Sequence, residues 1–153
     1  MKIGVVDTTF ARANMGKIVV DEIKDNFADI VVVRKTVPGI KDLPVECKNL
    51  LIDCDIVVAC GMPGGKEIDK MCGHEASTGL IEAQLMTGKH IVEVFVYEDE
   101  AKDDRQLKAI VEDRCRKHAR NAVMLLKDPG WFTRNAGGGH RQGGVDRGSI
   151  GGA

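Results

Sequence analysis

Asp55-Ile56-Val57-Val58-Ala59-Cys60-Gly61-Met62-Pro63-Gly64-Gly65-Lys66 decides the fold: an apolar, β-branched run stops at a glycine-rich turn, and a helix-like segment, Lys66–Thr87, opens behind it. A run that is apolar at alternating positions on both sides has no solvent face. It therefore reads as a strand covered on both faces, the condition of a parallel sheet. The unit recurs in both directions. Upstream, Ile3–Asp7 precedes a helical segment at roughly Asn14–Phe27, and Ile30–Val37 precedes Pro44–Leu51; downstream, His90–Tyr97 precedes Asp104–Lys127. Asn14 is placed to cap the first helix, and Asp103 with Gln106 three residues later resembles a capping box for the last. Gly88 stands where the third helix has to stop. Strand and helix alternating four times predicts a doubly wound α/β fold, a three-layer αβα sandwich on a four-stranded parallel sheet.

Composition agrees with one such domain. The chain has 153 residues, 43% of them apolar, enough to bury a core. Nine of its 18 glycines fall in residues 130–153, which separates a domain over 1–129 from a Gly-rich tail over 130–153. The formal net charge is −1, from 22 basic and 23 acidic side chains, so no global field points to nucleic acid or to a membrane surface. Cys47, Cys54, Cys60, Cys72 and Cys115 are odd in number and form no CxxC pair, which argues against a disulfide scaffold and a zinc ribbon. No apolar stretch approaches the ~18 residues of a membrane span. A reduced, cytoplasmic protein is expected, with no metal ligand set in its spacing.

In open parallel sheets, ligands bind beyond the carboxyl ends of the strands. The loops there are Thr8-Thr9-Phe10-Ala11-Arg12, Pro38-Gly39-Ile40-Lys41-Asp42, Gly61-Met62-Pro63-Gly64-Gly65-Lys66 and Glu98-Asp99-Glu100. The third follows a strand and opens a helix as a phosphate loop does, but its glycine spacing is wrong and Glu67 stands where Ser or Thr is needed. It is either a tight turn or a set of helix N–H donors facing a ligand. His74-Glu75-Ala76-Ser77-Thr78 begins like a zinc-protease helix but lacks the second histidine. Lys66, Lys70 and His74 share one helical ridge, either a solvated basic face or an ammonium and a base beside a ligand. Phe10 is a platform for a heterocycle or a packing residue. Asp42 caps the second helix or accepts hydrogen bonds from a polyol. His118 is read as a core or interface histidine.

These loops carry a resemblance. Val5 to Arg12, Arg34 to Pro44, Cys60 to Gly64, His74 to Ser77, Ala83 to Thr87 and Glu93 to Asp104 are similar to the archaeal-type riboflavin synthases, a family related to lumazine synthase. Thr133 to Gly137 and Arg141-Gln142-Gly143 in the tail match as well. The resemblance implies a lumazine synthase-like sandwich with flavodoxin-like winding, and a homopentamer with sites between subunits. It implies a transferase of riboflavin biosynthesis that dismutates two molecules of 6,7-dimethyl-8-ribityllumazine. It places Phe10 against the heterocycle beside Thr9, and the segment Pro38, Gly39 and Ile40 along the substrate. Asp42 is implied on ribityl hydroxyls, Met62, Pro63 and Gly64 on the pyrimidinedione edge, and Glu93 near the adjoining subunit's site. His74 is the first choice of base, with Lys66 or an acidic group from Glu98-Asp99 behind it. No cofactor is required; a divalent cation, magnesium or manganese, is left open. One departure stands out. Where lumazine synthase has a phosphate-holding Arg-Gly-(Ala)-Thr/Ser followed by His, this loop reads Gly64-Gly65-Lys66-Glu67-Ile68-Asp69. Lumazine synthase itself, and a non-catalytic lumazine- or flavin-binding ring, are the alternatives.

Overall fold

The computed structural model describes residues 1–141 and 144–151. Gln142 and Gly143, part of the tail's resemblance, lie outside the described residues. Among the described residues eight regular elements follow in the expected order, β1 (Lys2–Thr8), α1 (Met15–Asn26), β2 (Val31–Val37), α2 (Leu43–Leu50), β3 (Ile56–Gly61), α3 (Glu67–Thr87), β4 (Ile91–Phe95) and α4 (Asp104–Lys127), and a ninth, α5 (Gly130–Arg134), stands where only a tail was expected. Short 3-10 turns at Ile40–Asp42 and Glu98–Glu100 follow β2 and β4. The sheet runs β2-β1-β3-β4 with every pair parallel, in register at Ile3 with Ile56 and Val57 with Ile91.

The local chemistry explains the boundaries. The Asn14 side chain accepts the Lys17 N–H at 3.2 Å, and the Asp103 side chain accepts that of Gln106 at 2.8 Å, so both helices start on their expected caps. Gly88 ends α3 with φ +64, a left-handed turn that costs glycine nothing.

Period-two alternation along the strands sorts side chains into two layers. Ile3, Val5, Ile56, Val58 and Val94 pack under α1 and α4 with Met15, Val19, Ile23, Val111 and Cys115. Val6, Val57, Ala59, Ile91 and Phe95 pack under α2 and α3 with Leu43, Leu51, Ala76 and Leu80. β3 is buried at all its positions, whereas β2, on the sheet edge, exposes Arg34, Lys35 and Thr36.

Two buried carboxylates staple the frame. Asp7 accepts from Arg34 and from the Thr36 hydroxyl (2.7 Å), joining β1 to β2. Glu22 on α1 accepts from Arg116 (2.9 Å) and Arg120 (2.6 Å) on α4. Burial pushes the Glu22 carboxyl up, but the two guanidiniums outweigh it and hold it below the usual glutamate range.

The tail is not loose from its start. α5 puts Trp131 edge-on to Phe132 with centroids 5.2 Å apart and 6.1 Å from the His140 ring. Asp146 accepts the Arg141 N–H at 2.8 Å, closing the segment back on itself. No helix among the described residues is long and apolar enough to cross a membrane.

Candidate active site

At the carboxyl end of the sheet, on the α2/α3 face, lies a cavity of about 250 Å³ lined by Phe10, Gly39, Ile40, Lys41, Asp42, Met62, Pro63, Gly64, Asp69 and Cys72. Three successive loops and the first turns of α3 build it. Seven of the ten residues assigned to substrate meet in it: Phe10, Gly39, Ile40, Asp42, Met62, Pro63 and Gly64. Phe10 is 75% exposed, so it is no packing residue within the protomer and offers an open ring face over the cavity.

Backbone bonds hold the loops. The Thr9 N–H donates to the Val37 carbonyl (3.0 Å) and its hydroxyl to that of Pro38 (3.3 Å). Thr9 and Pro38 thus join the first two loops without lining the cavity. The Pro63 carbonyl accepts the Glu98 N–H at 3.0 Å, which extends the β3–β4 ladder past the strand ends. The carboxylate of Asp42 turns back to accept the Gly39 N–H at 3.0 Å; it makes no cap bond to α2. Its remaining lone pairs face outward as acceptors.

Lys41, Asp69 and Cys72 line the cavity without having been expected there. Asp69 and Cys72 lie three apart on α3, and the same flank continues to Glu75, which pairs with Lys41, and to Gly79, which packs on Pro44 of α2. Under the same face of the sheet, Thr8 Oγ1 is buried with no partner among the described residues. Such an orphan hydroxyl costs ~1–3 kcal/mol and is uncommon away from functional sites.

The catalytic candidates stand elsewhere. Lys66 and His74 are both exposed and neither lines the cavity. Their ridge runs down the opposite flank of α3, where Lys70 pairs with Asp99 at 2.8 Å and a Cβ at Gly73 would stand 2.4 Å from the Tyr97 hydroxyl. Glu93, half-buried on edge strand β4, belongs to that second cluster. Burial pushes its carboxyl above the ordinary range, partly offset by Ser77. Burial also raises the Tyr97 phenol, helped by Glu93, Glu100 and Asp99. Arg114 locks the turn beneath, donating to the Phe95 carbonyl (2.7 Å) and to Glu100 (2.8 Å). His118 lies partly buried on α4, its imidazole pushed down to about 4 by burial and by Arg114, so it is neutral near pH 7.

A larger groove of about 520 Å³ opens between α1 and α4. Its rim is mostly closed in pairs, Lys17 with Asp21, Arg12 with Asp104 and Arg116 with Glu22. Among the described residues no group of three His, Cys, Asp or Glu side chains is placed to hold a metal ion.

The family described as 6,7-dimethyl-8-ribityllumazine synthase matches residues 1–129, the whole sandwich and both α3 flanks. Over 152 residues the chain is 54% identical to a protein named riboflavin synthase from Methanothermobacter thermautotrophicus, covering 98% of this chain and 99% of that one. It is 49% identical to the riboflavin synthase of Archaeoglobus fulgidus, with the same coverage. To that of Aeropyrum pernix it is 43% identical, covering 97% of each chain. A family model spanning the whole sandwich, with relatives 43–54% identical over nearly the full length, shows that the protein belongs to the 6,7-dimethyl-8-ribityllumazine synthase family.

Proposed function

We propose that the protein is a riboflavin synthase. Two molecules of 6,7-dimethyl-8-ribityllumazine exchange a four-carbon unit, giving riboflavin and 5-amino-6-ribitylamino-2,4-pyrimidinedione. The observation that carries this reading is the convergence of Phe10, Asp42 and the backbone of Gly39–Ile40 and Met62–Gly64 on one cavity, in a chain whose curated relatives at 43–54% identity bear that name.

The chemistry suits so plain a site. The C7 methyl of the lumazine is acidic because the heterocycle delocalises the anion, so a modest base suffices. The larger task is to hold two flat molecules in register, a contribution of up to ~7–11 kcal/mol in entropy removed beforehand. Phe10 supplies a stacking face, the loop backbone reads the ring edge, and Asp42 accepts from ribityl hydroxyls. His74 is the proposed base and Lys66 the second choice. His74 stands on the far flank of α3, so it reaches a lumazine only if that flank faces the cavity of another copy; Lys66, just ahead of α3, is exposed outside the lining.

The protein therefore acts as a homopentamer in this reading, with each site shared by two subunits. The exposed Ile68, Met71, Ile81, Leu85 and Met86 on α3 supply the apolar contact area. Five unpaired cysteines suit a reducing cytoplasm. The balanced reaction uses no redox cofactor, and any need for magnesium or manganese is read directly as turnover lost in EDTA.

Incubating the purified chain with 6,7-dimethyl-8-ribityllumazine should produce riboflavin's green fluorescence above a protein-free control. No riboflavin, with the lumazine bound unchanged, would leave a storage ring. Condensation of 3,4-dihydroxy-2-butanone 4-phosphate with the pyrimidinedione would make it a lumazine synthase instead.

A further inference from the structure

We infer that Asp69 closes this site to anionic substrates, so that what enters beside the heterocycle is an uncharged polyol and not a phosphate. The inference rests on the riboflavin synthase reading for the identity of the polyol, the ribityl chain of the second lumazine. The exclusion of anions stands on geometry alone.

The amino end of a long helix directs unpaired N–H groups outward and attracts phosphate or carboxylate. α3 has 21 residues and opens on the cavity, so it is well placed to do so. The donor at its very start is already occupied. Asp69 Oδ2 accepts the Lys66 N–H at 3.1 Å, and Asp69 itself lines the cavity. The loop is shaped around that carboxylate: a Cβ at Gly64 would lie 2.4 Å from Asp69 Oδ2, so only glycine lets the two lie together.

Across the cavity the arrangement repeats. Asp42 Oδ2 accepts the Gly39 N–H at 3.0 Å, again from three residues ahead. Two loop donors that would hold an anion are each satisfied by the chain's own carboxylate. Lys41, the cation of the lining, is engaged by Glu75. Lys66 is exposed outside the lining. A phosphate would therefore meet two carboxylates and no free lining cation, an unfavourable juxtaposition of like charges. A hydroxyl instead donates to the lone pairs those carboxylates keep.

The test is calorimetric titration of the full-length protein with inorganic phosphate at constant ionic strength, alongside Asp69→Asn and Asp69→Ala. Asparagine keeps an acceptor for the Lys66 N–H and removes only the charge; alanine also frees the N–H. Both variants should bind phosphate at least about tenfold more tightly than the unaltered protein. Affinities equal to within about twofold in all three, whether through Lys66 or elsewhere, would overturn the inference. If Asp69→Ala fails to fold by circular dichroism, the asparagine variant decides alone. Turnover of the lumazine by the unaltered protein is a separate readout. Its absence defeats the riboflavin synthase reading, while the phosphate affinities still decide the role of Asp69.

Discussion

The two flanks of α3 do opposite things with the same kinds of residue. Along α2, Asp69, Cys72 and Glu75 border a concave, backbone-lined cavity with an open aromatic above it. Along β4, Lys70, Gly73 and Ser77 meet Asp99, Tyr97 and Glu93 in a cluster already paired, and His74 points to solvent. One flank has a place for a ligand and no base. The other has a base candidate and no enclosed space. If His74 is the base and the cavity holds the lumazine, as proposed, neither flank is a complete active site, and a single protomer cannot bring them together, because the helix lies between them. A ring that set the β4 flank of one subunit against the α2 flank of the next would join them.

The strongest way to break this comparison is subunit mixing. Asp42→Ala on one flank and His74→Ala on the other should each lower turnover by ~10²-fold or more if the first holds substrate and the second is the base. Co-assembled from the two variants, rings should recover activity by about tenfold over either parent, since some interfaces then pair two intact flanks. Mixed rings no better than their parents would place both residues in one protomer's site. A fall below about threefold for His74→Ala would remove it from the mechanism.

Phe10→Ala sharpens the first flank. The ring is solvent-exposed in the protomer, so its loss should leave thermal stability unchanged while raising KM for the lumazine by roughly three- to tenfold through lost stacking. A lowered melting temperature with unaltered KM would make Phe10 a packing residue at a subunit contact.

The smallest expected effect lies on the second flank. Burial raises the Glu93 carboxyl above its unfolded value, so Glu93 favours the folded state fully at acid pH and loses that contribution as pH rises through the raised range. Glu93→Gln should stabilise the protein at neutral pH by no more than about 1 kcal/mol and have no effect at acid pH. Destabilisation at neutral pH would show instead that the charged form has a partner in the assembled protein.

What was legible in the sequence follows from which physics is local. Strands buried on both faces announce themselves as continuous apolar runs, and the helix ends at Asn14, Asp103 and Gly88 are local chemistry. The cavity-lining loops were legible because parallel topology dictates where ligands sit. The rotation of α3 was not. Ile68, Met71, Ile81, Leu85 and Met86 lie exposed while Gly73, Ala76, Leu80 and Ala83 face the sheet, so apolar residues surround the helix and no period marks its inner face. Lys66, Lys70 and His74 therefore read as easily toward the cavity as away from it. Asp69 and Cys72 were missed for the same reason. Asp42 read equally well as a cap or a ligand group; it caps the 3-10 turn at Gly39, not α2. α5 escaped notice because glycine and proline at its start mask a helix held by Trp131 and its neighbours.

Cys72 gives the cavity a chemical identity the core thiols lack. Cys47, Cys54, Cys60 and Cys115 are buried; burial pushes the Cys47 and Cys54 thiols up, and the hydrogen bond with Cys115 together with burial sets Cys60 well above the ordinary range, so these three do not form thiolate readily. Electrophiles and oxidants that reach the folded protein are thereby directed to the one half-buried sulfur, which lines the candidate cavity. If that cavity holds the lumazine as proposed, oxidation at Cys72 and loss of catalysis should run together, and bound lumazine should slow both.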